Sequence, residues 1–326
     1  MDEFAHLHVA SGFSMRYGAS TPEALVERAA QYGQPALALT DRDGLYGAVR
    51  FVRAATAAGI TPVLGVDLAV EEPTPPRRPA RMPVRGGALV DPRRPRITVL
   101  ARGSASGVAH GVGWAALCRL VTATHLRGER GVPVLPPDLL LPADSPLVVL
   151  LGPDSDVGRA LLANRRDRAE ALLAAWEARM PRAGLVVEVV CHRGPDGTPA
   201  SRRHARALLA LADAHGITAV LTAAVRHVDP ADSRVVDVLD AARRLVTLDP
   251  RHLDRMTDAG HLASTVTMHL LAREVCGPDP ERADRLVADT MRLALECGQD
   301  ARRDLGIGSV QLPEPGILGI RDGEDP

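Results

Sequence analysis

The sequence predicts a parallel α/β architecture followed by a small all-helical segment. Three observations lead there. Short apolar runs of strand length alternate with longer helical stretches through most of the chain. Seven such runs occur, at residues 4–10, 36–40, 62–70, 96–101, 147–151, 185–190 and 218–222. Past Asp229-Pro230 the strands cease, and 231–245, 264–275 and 280–297 read as helices.

The first run is Phe4-Ala5-His6-Leu7-His8-Val9-Ala10. Alternation along a strand would put His6, His8 and Ala10 on one face. In the helix that follows, Thr21 suits the cap, Pro22 the first helical position and Gly33 the end. The second run, Ala36–Thr40, leads into Asp41-Arg42-Asp43-Gly44, and the next helix stops at Gly59. The third run carries Asp67.

Residues 71–95 break the rhythm with seven Pro and six Arg. Such a stretch cannot bury a core and is expected as a solvated surface excursion. Gly111-Val112-Gly113-Trp114-Ala115-Ala116 mimics a dinucleotide fingerprint. The preceding strand ends too far back and no acid follows about twenty residues on, so a plain loop entering a helix is the better reading. Cys191 and His192 are adjacent, hence on opposite faces of a strand, and do not form a nucleophile pair.

Composition narrows the chemistry. The chain has 326 residues, a net charge of −1 and no lysine, so a P-loop or a Schiff-base lysine is excluded. The balance is not that of a dedicated nucleic-acid-binding domain. Eight Phe, Trp and Tyr in all leave no stacking platform for single strands. Four scattered cysteines without a C-x-x-C pair suit a reducing cytoplasm. No apolar stretch reaches 18 residues, so no membrane span is expected.

Several strings, in order, resemble the PHP (polymerase and histidinol phosphatase) domain of bacterial DNA polymerase III alpha subunits and error-prone alpha-type polymerases. They are Phe4–Ser11, Ala36–Val49, Gly59–Asp67, Leu117-Cys118-Arg119-Leu120, Leu185-Val186-Val187-Glu188 and Ala288-Asp289-Thr290-Met291. The resemblance implies a distorted seven-stranded (β/α) barrel over 1–228, a helical connector over 229–312 approaching a polymerase palm, and a flexible tail over 313–326. It also implies a cluster of up to about three metal ions on His, Asp, Glu and Cys ligands at the strand ends.

Carried across residue by residue, that ligand pattern is depleted. His8 and Asp67 remain, with Cys191 or His192 as a third donor, so at most one divalent ion, zinc or manganese, is expected. Other positions of the pattern fall on Ala10, Tyr17, Arg42, Arg96, Ala224 and Arg226. Arginine stays protonated and offers only donors, so Arg42, Arg96 and Arg226 cannot ligate a cation. Two readings of these arginines stand side by side. In one, they pair with Asp41, Asp43 or Asp67 across the former metal pocket, or accept a phosphate or an acidic segment. In the other, arginine-rich codons drifted into a site no longer under selection.

The resemblance implies a non-hydrolytic scaffold in DNA replication or translesion repair. Its partners would be a polymerase core or other replication and repair subunits, with DNA met only indirectly. The alternative is a metal-dependent phosphoesterase or 3′–5′ exonuclease with a reduced site. A free-standing anion- or protein-binding module is a third expectation.

Overall fold

The structure is a computed structural model that describes residues 3–71, 93–128, 131–136, 145–249, 255 and 257–308. Six strands form one sheet in sequence order: β1 (Ala36–Leu39), β2 (Thr61–Ala69), β3 (Arg96–Ala101), β4 (Leu147–Leu151), β5 (Leu185–Val190) and β6 (Ala219–Thr222). Each lies within about a residue of its expected position. Nine helices accompany them among the described residues: α1 (Pro22–Gln31), α2 (Ala48–Ala57), α3 (Val112–Arg127), α4 (Asp156–Leu162), α5 (Arg166–Glu177), α6 (Arg202–His215), α7 (Ser233–Arg244), α8 (Thr265–Cys276) and α9 (Pro280–Glu296). Thr21 caps α1 by accepting from the Ala24 N–H, and Pro22 opens it. None of the described helices is long and apolar enough to cross a membrane.

Two expectations are corrected. The sheet is mixed, not parallel: β3 runs antiparallel to both β2 and β4. A parallel pair needs a crossover, usually helical. The proline-rich stretch after β2 has no helical pattern, so the chain returns beside β2. Most of that stretch, 72–92, lies outside the described residues, as does the tail from 309 onward.

The second correction concerns residues 4–10, which do not form a strand. A bend at Leu7 interrupts them, leaving isolated parallel bridges from His6 to Leu37 and from Val9 to Val225. The Ala38 N–H donates to the His6 carbonyl at 2.9 Å, and the Ala10 N–H to the Val225 carbonyl at 2.8 Å. The segment thus touches β1 on one side and the chain beyond β6 on the other. The bend breaks the alternation, so the His6 and His8 rings part company. His6 Nε2 donates to the Ala263 carbonyl at 2.9 Å, and burial pushes its pKa down to about 4.

The strand register defines two faces. One carries Ala36, Ala38, Val63, Leu100, Val148, Leu150, Val186 and Val220, joined by Ala5 and Leu7. Leu293, Ala294 and Cys297, at the end of α9, fill this inner face from one end. The other face packs the helices, and the apolar stripes of α8 and α9 share that core with the strands. The fingerprint-like glycines have a packing role. A side chain at Gly113 would collide with the Arg102 carbonyl, so glycine lets α3 close on the chain after β3.

Candidate functional site

The inner face is apolar at one end and turns polar at the other. On β2 it passes from Val63 through Gly65 to Asp67, and on antiparallel β3 from Leu100 through Thr98 to Arg96. On β5 it passes from Val186 to Glu188, and on β6 from Val220 to Thr222. The two-residue period alone therefore delivers an acid, an arginine, a second acid and two hydroxyls to one rim.

Asp67 is buried at the centre. Arg42 Nε donates to Oδ2 at 2.9 Å and Arg96 Nε to Oδ1 at 2.8 Å, so both carboxylate oxygens face guanidinium groups. Arg96 Nη2 also donates to Asp43 Oδ1 at 2.7 Å and to the Asp67 carbonyl at 2.8 Å. Burial by itself raises the Asp67 carboxyl. The combined attraction of Arg96, Arg42 and His8 outweighs it, and the net shift is downward.

His8 belongs to a neighbouring group. Its Nδ1–H donates to Glu188 Oε1 at 2.8 Å, with Thr98 Oγ1 3.3 Å from the same nitrogen. The Thr222 hydroxyl donates to the same Glu188 oxygen at 2.5 Å. Burial lowers the His8 pKa, but the Glu188 carboxylate and the more distant Asp67 overcome it, and the net shift is upward. The pair's stabilisation is therefore complete below about pH 6.5, the ordinary histidine value. It is lost as pH rises through the raised native value. Urea unfolding of the wild type and His8→Gln is expected to show a stability gap at pH 6 that narrows by pH 9. A gap that widens with pH would contradict the pairing.

Glu188 reaches this position because residue 152 has no side chain. A Cβ at Gly152 would overlap Glu188 Oε2. Gly152→Ala is expected to cost about 1–3 kcal/mol by displacing a buried, hydrogen-bonded carboxylate. Thermal denaturation checks this, and an unchanged melting temperature would show that Glu188 has room to move.

The third arginine sits apart from Asp67. Arg226 makes a two-pronged pair with Asp240 on α7, Nη2 to Oδ1 at 2.6 Å and Nη1 to Oδ2 at 3.1 Å. The link to Arg42 is aromatic. The guanidinium carbons of Arg42 and Arg226 lie 3.3 and 3.9 Å from the centroid of the Tyr17 ring. Cation–π attraction of this kind strengthens when the groups are desolvated.

Asp41 does not pair with an arginine as expected. It accepts the Ser11 N–H at 2.7 Å and the Ser11 and Ser14 hydroxyls, which places it under the loop carrying Tyr17. Burial raises its pKa, and these hydrogen bonds only partly offset that. His192 Nε2 donates to the Ala223 carbonyl at 2.8 Å, and Cys191 is buried in the helix-side core. Sequence reasoning missed Glu188, Thr98, Thr222 and Asp240, and the two serines that hold Asp41. A lone acid inside the apolar run Leu185–Val190 was the available signal for the first.

The donor set is a poor match to a metal cluster. Among the described residues no group of three or more His, Cys, Asp or Glu is placed to hold an ion. The chemistry of the donors explains why. Both Asp67 oxygens face arginines and His192 Nε2 is bonded to a carbonyl, while the bond to Glu188 engages only the Nδ1 of His8.

Comparison with known proteins places the chain. The sequence pattern of the PHP domain matches residues 6–192. The error-prone DNA polymerase of Nocardia farcinica is 33% identical over 359 residues, covering 99% of this chain and 29% of the relative. The error-prone DNA polymerase of Symbiobacterium thermophilum is 33% identical over 314 residues, covering 92% of this chain and 26% of the relative. The DNA polymerase III subunit alpha of Escherichia coli is 29% identical over 314 residues, covering 95% and 24%. The chain thus spans less than a third of the length of these relatives. The pattern match covers more than half of its length, and the chain belongs to the PHP domain family.

Proposed function

We propose that this chain is a non-hydrolytic PHP module of a DNA polymerase III alpha-like or error-prone polymerase, serving as a scaffold in replication or repair. Its partners in this reading are a polymerase core or other replication and repair subunits, and it meets DNA only through them. One observation supports it above the rest: the Asp67 carboxylate has both oxygens in hydrogen bonds from Arg42 and Arg96. In the family resemblance Asp67 and those two positions belong to the metal site. Two guanidinium groups there repel a divalent ion and engage both oxygens of the acid. The metal-ion route to hydroxide and to charge stabilisation that the family resemblance implies would then be lost.

A second reading, a phosphoesterase or 3′–5′ exonuclease using one ion, has one feature in its favour. His8 keeps a carboxylate on Nδ1, the arrangement that orients metal-bound imidazoles. The test is release of phosphate or nucleotides from a phosphomonoester and a single-stranded oligonucleotide with manganese present. The scaffold reading expects rates equal to those of His8→Ala and Asp67→Asn. Turnover that both substitutions abolish would establish the hydrolase instead.

A further inference from the structure

Two imidazoles meet where the chain beyond β6 bridges in parallel with the segment after α7, His227 opposite His261. The Arg226 N–H donates to the Gly260 carbonyl at 2.8 Å, and the Leu262 N–H to the His227 carbonyl at 3.0 Å. These two bonds fix the register, and opposed residues in such a pairing turn their side chains to the same face. The ring centroids are accordingly 6.3 Å apart, with the planes tilted by 38°.

Both rings are held in one tautomer. His227 Nδ1 lies 2.7 Å from the Asp229 carbonyl, and His261 Nδ1 lies 3.3 Å from the Asp258 carbonyl. A carbonyl only accepts, so each Nδ1 carries the proton and each Nε2 keeps a lone pair. Among the described residues neither Nε2 has a hydrogen-bond partner. An imidazole whose Nδ1–H is bonded to a backbone carbonyl is oriented to ligate a metal through Nε2. Burial pushes the His227 pKa down, so its ring is neutral at pH 7 and need lose no proton to bind an ion. The nearby Asp232 carboxylate favours a cation here, and Arg226 opposes it.

The separation suits one shared ion. A metal–nitrogen bond of about 2.0–2.1 Å puts an ion about 3.2 Å from each ring centroid. Two rings on opposite sides of the ion then lie about 6.4 Å apart, and two at a tetrahedral angle about 5 Å apart. The observed 6.3 Å is at the wide end of that range. His227 is buried and fixed, whereas His261 is partly exposed and can swing inward about its side-chain torsions.

We propose that His227 and His261 form a two-histidine site for a divalent transition ion of the zinc, nickel and copper class, with water in the outer positions. Imidazole nitrogen suits these ions, whereas manganese and calcium prefer oxygen. The site is separate from the rim, because Arg226, the residue before His227, turns the other way toward Asp240 and Tyr17. An ion there clips the segment after α7 to the extension of β6. It fastens both ends of the excursion that carries Asp240, and its binding is independent of whether the rim hydrolyses anything.

The experiment strips the chain of metal with a chelator and titrates it with zinc at pH 7 in a calorimeter. Wild type is compared with His261→Gln, His227→Gln and the rim variant His8→Gln. The expected result is one zinc per chain, bound at least tenfold more weakly by either variant of the pair and unchanged in the rim variant. Excess zinc should also raise the melting temperature of wild type and not that of His261→Gln, since an ion bound only by the folded state stabilises it. His261 is partly exposed, so its variant keeps the test open if circular dichroism shows that His227→Gln does not fold. No zinc binding by wild type at millimolar concentration, or wild-type affinity in folded His261→Gln, overturns the site. Loss of binding in folded His8→Gln places the ion at the rim and overturns it as well.

Discussion

Asp67→Ala is expected to destabilise the protein by about 3–5 kcal/mol, because it leaves two buried guanidinium groups facing each other without their shared acid. The side chain is buried and bonded to Arg42 and Arg96, so solvent does little to screen the loss. Urea denaturation at pH 7 measures it. The cause is tested by a triple substitution, Asp67→Leu with Arg42→Met and Arg96→Met. Replacing a buried ionic group by apolar groups of similar size is often neutral, and Asp43, the one partner left, is a third exposed to water, so most of the stability should return. The penalty should also shrink in acid. The native Asp67 pKa is lowered, so its stabilisation is complete above the ordinary carboxylate range and is lost as pH falls through the native value. A loss below 1 kcal/mol at pH 7 would mean that the arginines find other partners.

Asp240→Ala is expected to cost about 3 kcal/mol or more for the same reason at a different address. Asp240 is fully buried and holds Arg226 and Arg243 together. Its loss strands a guanidinium over Tyr17 and loosens α7. Asp240→Asn keeps the shape and one acceptor, so it should fall between wild type and Ala. The two sites share Tyr17, over which both Arg42 and Arg226 lie. A double-mutant cycle between Asp67→Ala and Asp240→Ala is therefore expected to show coupling of about 0.5 kcal/mol or more. Strict additivity would show that the shared ring transmits nothing.

Much of this was legible in the amino-acid order. Six of the seven expected strands are present, and short continuous aliphatic runs such as Leu147–Leu151, rich in Val and bounded by turn residues, suit a sheet buried on both faces. The seventh failed because residues 4–10 serve two neighbours at once, and only a bend at Leu7 lets them turn from β1 to Val225. The direction of β3 was written in the proline-rich stretch before it, which cannot form a crossover helix, yet alternation alone suggested a parallel strand. At the rim, positional matching singled out Arg42, Arg96 and Asp67, which the fold brings together. It did not foresee that Asp41 would turn to Ser11 and Ser14. Ser11 and Ser14 are 30 and 27 residues away in the chain, so their pairing with Asp41 is made by the fold and carries no local signal. Asp240 escaped notice because nothing in a helix sequence says that its charged side faces inward.

The account depends on guanidinium–carboxylate pairs occupying the rim that the family resemblance assigns to metal ligands. The direct measurement is a crystal of the chain soaked in manganese, with anomalous scattering recorded at the metal edge. The account predicts no ordered manganese within reach of Asp67, with Arg42 and Arg96 still donating to its two oxygens. Two or more ordered ions held by His8, Asp67 and Glu188, with the arginines swung aside, would contradict it.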